Sequence, residues 1–148
     1  MKIPNYGAIT AKNVVFDLNG TLAVDGKVSS DVKILLKELG NTYNIIVVTA
    51  DTYGTLKLEF DGLNITIEKI KDEIEKVNAA KKYYPYIGIG NGNNDCSMLL
   101  ESELGILIIG KEGAAIKALL NSDLVVTDIK DAINLLLNEK RLIATLRK

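Results

Sequence analysis

The stretch VVFDLNGTLAVDG, residues 14–26, decides the fold. Its apolar start is typical of a buried strand, and the strand stops at a carboxylate, Asp17. Gly20 and Gly26 then predict tight turns. In an open parallel sheet, ligands bind beyond the carboxyl ends of the strands, so this position of Asp17 predicts a functional site. Asn19, two positions further on, carries an amide that cannot transfer a proton.

Length and composition narrow the classes of protein to consider. A chain of 148 residues, 47% of them hydrophobic, is typical of one domain with one core. Lys and Arg number 18 against 19 Asp and Glu, so the balanced charge favours neither nucleic acid nor an anionic membrane as partner. Cys96 is alone, which excludes a disulfide within the chain, and no leader segment is evident, so we expect a cytoplasmic protein. Histidine is absent, which favours magnesium over zinc chemistry.

Short runs rich in Val and Ile alternate with segments of helical period along the chain. This alternation predicts an α/β fold, a doubly wound and mostly parallel sheet, forming a single domain over residues 1–148. The predicted strands are Asn13–Asp17, Asn44–Thr49, Asn64–Ile67, Tyr86–Gly90, Leu104–Ile109 and Leu124–Thr127. The predicted helices are Ser29–Leu39, Thr52–Phe60, Glu68–Lys82, Asn94–Glu101, Gly113–Asn121 and Asp128–Asn138.

Three of the predicted strands end in residues that can bind phosphate or a metal ion. The first ends at Asp17, the second at Thr49, and the fourth runs into Gly90–Asp95, a turn of glycines, amides and a carboxylate. Because the carboxyl ends of parallel strands meet at one edge of a sheet, these groups should converge. A carboxylate nucleophile, a hydroxyl and such a turn before a helix predict a site for phosphate and magnesium.

These strand ends resemble the motifs of the haloacid dehalogenase superfamily. Asp17-Leu18-Asn19-Gly20-Thr21 is similar to the first motif, usually Asp-x-Asp-Gly-Thr, except at Asn19. Thr49-Ala50-Asp51 and the turn Gly90–Asp95 resemble motifs as P-type ATPases carry them, with Asn91 in the place of an aspartate. The chain as a whole is most similar to the small soluble P-type ATPase-like group, which has no cap domain.

The resemblance implies a magnesium-dependent phosphatase or phosphotransferase that forms an aspartyl phosphate on Asp17. It implies slow turnover, because Asn19 replaces the usual acid and base. Lys76 is the chosen match to the third-motif lysine, and Lys71 is the alternative. The predicted catalytic residues are Asp17, Asn19, Thr49 and Lys76; the predicted substrate-binding residues are Gly20, Thr21, Ala50 and Asp51; the predicted ligands of Mg²⁺ are Asp17, Asn19, Asn91 and Asp95.

Several alternatives stay open at this point. The chain could instead be a catalytically weak phosphate-binding or phosphoaspartate signalling module. A receiver domain shares Asp, Thr, Lys and magnesium, but its acceptor closes the third strand, whereas Asp17 closes the first. Between Leu22 and Ser29 there is room only for a hairpin turning at Asp25-Gly26, so an uncapped site would accept a large phosphorylated substrate or be covered by a second copy in a homo-oligomer. Leu142, Ile143 and Leu146 could dock on the body or on another subunit.

Overall fold

The computed structural model describes residues 1–51 and 55–148, and six parallel strands form its central sheet. The order across the sheet is β5-β4-β3-β6-β7-β8. After β3 the chain moves outward through β4 and β5, and it then returns to the other side of β3 at β6. The crevice between β3 and β6 is therefore the topological switch point, where ligands bind in folds of this kind. The strands are β3 (Asn13–Asp17), β4 (Asn44–Thr49), β5 (Ile65–Lys69), β6 (Tyr86–Gly90), β7 (Leu104–Ile108) and β8 (Leu124–Val126).

Helices cover both faces of this sheet, so the prediction of a doubly wound α/β fold is confirmed. One face packs against α1, α2, α6 and α7 through a large apolar cluster that includes Phe16 and Val47. The other face packs against α3, α4 and α5 through smaller clusters. The helices are α1 (Ser30–Leu39), α2 (Thr55–Glu59), α3 (Glu73–Lys81), α4 (Cys96–Leu100), α5 (Ile116–Leu120), α6 (Ile129–Leu137) and α7 (Glu139–Leu146).

Local capping explains where α1 and α3 begin. The Ser29 hydroxyl accepts a hydrogen bond from the backbone amide of Val32 at 3.3 Å, and the Asp72 carboxylate accepts one from that of Glu75 at 2.8 Å. Such caps satisfy amides that have no partner inside the helix. Gly40 follows α1 directly, as expected for a helix end.

The predicted helix Glu68–Lys82 is wrong at its start. Glu68 and Lys69 instead continue β5, where they pair with Val48 and Thr49 of β4. The ladder of the neighbouring strand overrides the helical pattern there, and α3 begins only after its cap at Asp72.

Two other predicted helices also begin later than expected. The segment Asn94–Glu101 starts as a 3₁₀ turn, Asn93–Asp95, that leads into α4. The segment Gly113–Asn121 starts with a turn in which Gly113 has a positive φ of 74°, so α5 begins at Ile116. The first residues of the predicted helix Thr52–Phe60, residues 52–54, lie outside the described residues.

The turn at Asp25-Gly26 is present as predicted. Both residues have positive φ, 51° and 76°, and Val24 and Lys27 pair across the turn. This combination is typical of a two-residue hairpin turn. The connection from Leu22 to Ser29 thus holds this turn and no inserted domain.

A hairpin at the amino terminus was not expected from the sequence. Its strands, β1 (Lys2–Ile3) and β2 (Gly7–Ala8), pair in antiparallel fashion, and Ile3 enters the main core. Helix α7 packs against β1 and α6. Among residues 1–51 and 55–148, no helix has the length and apolar character needed to cross a bilayer.

Candidate active site

Asp17 lies at the carboxyl end of the central strand β3, and Lys76 lies against it. The ammonium of Lys76 is 2.5 Å from Oδ1 of Asp17 and 2.6 Å from Oδ1 of Asp95. Lys76 is 1% exposed and Asp95 is fully buried, so one ammonium joins two carboxylates away from water. Helix α3 supplies the lysine because Lys76 lies on the face that it turns toward the sheet, whereas Lys71 is exposed before that helix.

The electrostatics of this cluster keep Lys76 charged and make Asp17 easier to protonate. Burial and the charge of Asp95 raise the pKa of Asp17 to about 6, and they outweigh the lowering by Lys76 and Thr21. Burial alone would lower the pKa of Lys76, but Asp17 and Asp95 raise it overall. At neutral pH, Asp17 is therefore mainly ionised.

Thr21 links the first motif to the glycine-rich turn after β6. Its buried hydroxyl lies 3.2 Å from Oδ2 of Asp17 and 3.3 Å from Oδ1 of Asn91. A hydroxyl has one hydrogen, so it donates to one of these oxygens at a time. The two motifs therefore meet around a single side chain, and Thr21 contacts the candidate nucleophile directly.

Asp95 holds the glycine-rich turn in shape. Its Oδ2 accepts hydrogen bonds from the backbone amides of Asn91 and Gly92 at 2.9 and 2.8 Å. A Cβ at Gly90 would lie 2.6 Å from this same oxygen, so only glycine fits there. Both oxygens of Asp95 are thus engaged, one by the turn and the other by Lys76.

Gly20 allows the first loop to approach Asn91. Its φ is 78°, and a Cβ there would come within 2.9 Å of Cγ of Asn91. Asn91 donates from Nδ2 to the carbonyl of Gly113 at 3.2 Å. The loop that follows β7 therefore supports the site, a contribution that sequence reasoning missed; its signal is the pair of glycines, Gly110 and Gly113, after a strand.

The residues after β4 form a second, more open part of the site. Thr49 is buried, and its Oγ1 accepts a hydrogen bond from the backbone amide of Asp51 at 3.1 Å, which leaves its hydrogen to donate elsewhere. Asn19 donates from Nδ2 to Oδ2 of Asp51 at 2.9 Å. The amide of Asn19 is thus paired with the half-exposed carboxylate of Asp51. Ala50, between Thr49 and Asp51, is exposed.

Comparison with known proteins places the chain in a family. It is 56% identical over 79 residues to the uncharacterized protein MJ0073 of Methanocaldococcus jannaschii, a match that spans 53% of this chain and 82% of the relative. It also resembles the structure of 3-deoxy-D-manno-octulosonate 8-phosphate phosphatase from Moraxella catarrhalis in complex with magnesium, phosphate and KDO. The TM-score is 0.68 at 19% identity, over 93% of this chain and 94% of the other. The chain belongs to the family of MJ0073 and has the haloacid dehalogenase fold.

The chain also shows a shorter similarity to a phospholipid-transporting ATPase. The chain is 41% identical over 68 residues to the human phospholipid-transporting ATPase IH, which is 45% of this chain but 6% of the ATPase. No family model matches the chain. The likeness to the ATPase thus covers only a small part of that protein.

The oxygen donors of the site fit magnesium. The carboxylate of Asp17 and the amide oxygen of Asn91 lie on either side of the Thr21 hydroxyl. Magnesium in phosphate sites uses one or two carboxylates and keeps several waters, so this donor set is sufficient. Within the described ranges, no three His, Cys, Asp or Glu side chains cluster in a way that could hold a metal ion, so a bound ion would depend on amide oxygens and waters as well as on carboxylates.

Proposed function

We propose that the chain is a magnesium-dependent phosphatase or phosphotransferase that forms an aspartyl phosphate on Asp17. The observation that carries this proposal is the 2.5 Å contact between Asp17 and Lys76 at the switch point of the sheet. A buried ion pair contributes little net stability to a fold. The burial of Asp17 beside Lys76 therefore supports a functional role for the pair. The structural neighbour that contains magnesium and phosphate supports the same reading.

In this proposal each residue of the site has a distinct task. An oxygen of the Asp17 carboxylate attacks the phosphorus atom, and Lys76 balances the negative charge that gathers around it. The hydroxyl of Thr49, with its hydrogen still to donate, holds a phosphoryl oxygen. Gly20, Thr21, Ala50 and Asp51 surround the bound phosphoryl group, and Thr21 also keeps Asp17 in place.

The same site would hold the metal ion. Asp17 and Asn91 are the ligands that the structure favours, and the bound ion supplies positive charge that neutralises phosphoryl oxygens. Asn19 and Asp95 belong to the same proposed metal site. Ligation by Asp95 would require exchange of a contact with Lys76 or with the turn amides.

Labelling by acetyl phosphate tests the proposal. Wild-type protein with magnesium should gain one phosphoryl group, visible by intact-mass spectrometry, and Asp17→Asn should abolish the gain because the nucleophilic oxygen is lost. Asp25→Asn, a matched change in an exposed turn, should label like the wild type. Labelling that survives Asp17→Asn would overturn the assignment.

A second function is favoured by the contact between Asn19 and Asp51. Because an amide stands where a proton-transferring group would act, the chain could bind phosphate or hold a long-lived phosphoaspartate without rapid turnover. Measurement of phosphate release after labelling distinguishes the two functions: repeated turnover supports the phosphatase, and a stable phosphoprotein supports the signalling module.

A further inference from the structure

Among residues 1–51 and 55–148, the polar groups that contact Asp17 or Asn19 include none suited to protonate a departing leaving group. The side chain of Asn19 is an amide, and its Nδ2 donates to Asp51. Oδ2 of Asp51 therefore takes part as a hydrogen-bond acceptor. Neither member of this pair presents an acidic proton toward Asp17.

Lys76 and Thr21, two side chains that contact Asp17 directly, are also engaged. The ammonium of Lys76 lies between Asp17 and Asp95 at 2.5 and 2.6 Å and is 1% exposed, so it is paired with two carboxylates and shielded from solvent. The hydroxyl of Thr21 is shared between Asp17 and Asn91. Hydroxyl and amide groups are in any case poor acids at neutral pH.

We propose that this site takes phosphoryl donors whose leaving group departs as a stable anion, namely acyl phosphates and phosphoanhydrides, in preference to alkyl phosphate esters. The inference rests on the proposed function. In the step, an oxygen of Asp17 forms a bond to phosphorus, the bond from phosphorus to the leaving oxygen breaks, and the electron pair stays on that oxygen. A carboxylate or phosphate leaving group holds this pair without a proton. An alkoxide does not, so an alkyl ester needs the acid that Asn19 cannot supply.

The connection that follows the first motif adds no lid to the site. The connection from Leu22 to Ser29 contains only the turn in which Val24 pairs with Lys27. Asn19 itself is exposed to solvent. No inserted lid in that connection would therefore restrict which phosphoryl donors reach Asp17, and the chemistry of the leaving group would distinguish them.

The test compares donors that differ in their leaving group. With magnesium present, kcat/KM is measured for acetyl phosphate, inorganic pyrophosphate and glycerol 3-phosphate, using wild type, Asn19→Asp and the exposed control Asn78→Asp. At saturating magnesium, Asn19→Asp should raise the ratio of the value for glycerol 3-phosphate to the value for acetyl phosphate by about 10- to 1,000-fold. Because intrinsic reactivity cancels between variants, the change in the ratio is diagnostic. Acetyl phosphate and pyrophosphate separate an acyl donor from an anhydride donor.

Three results would overturn the inference. Asn19→Asp could accelerate every donor equally, wild type could use glycerol 3-phosphate as well as acetyl phosphate, or Asp51→Asn could selectively impair the alkyl ester, which would make Asp51 the acid. If circular dichroism shows that Asn19→Asp does not fold, the wild-type protein is tested with a series of aryl phosphates. Its rate should fall steeply as the leaving phenol becomes more basic. A rate that does not change across the series would contradict the inference. Failure of the proposed function differs from all of these, because no donor would then label Asp17.

Discussion

Asn91 shows how much one neutral side chain can control in this site. Its Oδ1 lies beside Thr21, its Nδ2 holds the carbonyl of Gly113, and its side chain packs over Gly20. An amide can give an oxygen to magnesium but adds no charge. The proposed metal site thus has one carboxylate fewer than the motif that the turn Gly90–Asp95 resembles.

Asn91→Asp should tighten magnesium binding by about tenfold or more, because a full negative charge about 4 Å from a unit positive charge contributes about 1 kcal/mol in bulk water and about 4 kcal/mol near a protein surface. The lost donor to Gly113 offsets part of this gain. Isothermal titration calorimetry with magnesium alone measures the change, and Asn94→Asp, an exposed residue of the same turn, serves as control. Equal or weaker affinity would mean that Asn91 lies outside the first shell of the ion.

The local pattern of a helix predicts its apolar face, but the rest of the fold determines what that face packs against. Helix α7 is the clearest example, because the periodicity of Leu142, Ile143 and Leu146 predicted an apolar face but not what covers it. In the structure Leu142 is fully buried and Leu146 is 9% exposed, and both join the main core. Thus α7 docks on its own domain through these two leucines.

Leu142→Ala should reduce the free energy of unfolding by about 2–5 kcal/mol, since it removes a fully buried side chain and leaves a cavity. Urea denaturation measures the effect as a lower midpoint at an unchanged m-value. Arg141→Ala, on the exposed face of the same helix, should change stability by less than about 0.5 kcal/mol. A loss below about 1 kcal/mol for Leu142→Ala would place this side chain outside the core.

At the scale of the whole molecule, the site is assembled from segments that are distant in the chain. Strand β3 supplies Asp17, β4 supplies Thr49, α3 supplies Lys76 and the turn after β6 supplies Asn91. The folded state must therefore bury the charge of Asp17 next to that of Asp95, with one ammonium between them. Burial of these two negative charges lowers the free energy of unfolding of the domain, so the site residues also affect its stability.

In metal-free buffer, Asp17→Asn should stabilise the protein at pH 7–8 by about 1–3 kcal/mol. The pKa of Asp17 is raised to about 6 in the folded state from 3.8, so the folded state is favoured when Asp17 is protonated and loses that advantage as pH rises through 6. The gain from the variant should consequently shrink as pH falls from about 7 to about 4. Thermal unfolding of both proteins across this range measures it, and a gain that does not vary with pH would contradict the shift.

The sequence by itself determined the class of fold and the elements that carry the site. Alternating apolar runs and helical periods predicted the parallel sheet, because burial on both faces demands apolar strands. Residues that close these strands, such as Asp17, Thr49 and Asn91, were predicted to converge because parallel strands end at one edge. Local signals also sufficed at Asp25-Gly26, where the two-residue turn needs positive φ at both positions.

Only the tertiary structure decided the contacts between these elements. The resemblance to the third motif favoured Lys76 and kept Lys71 as the alternative, and the packing of α3 on the sheet brings Lys76 to Asp17. The pairing of Glu68 and Lys69 with β4 overrides their helical pattern, and the partner of Asn19 is Asp51 from a different strand end. Periodicity and spacing report which face of an element is apolar, whereas the partner that meets this face depends on strand order and on side-chain packing across the whole chain.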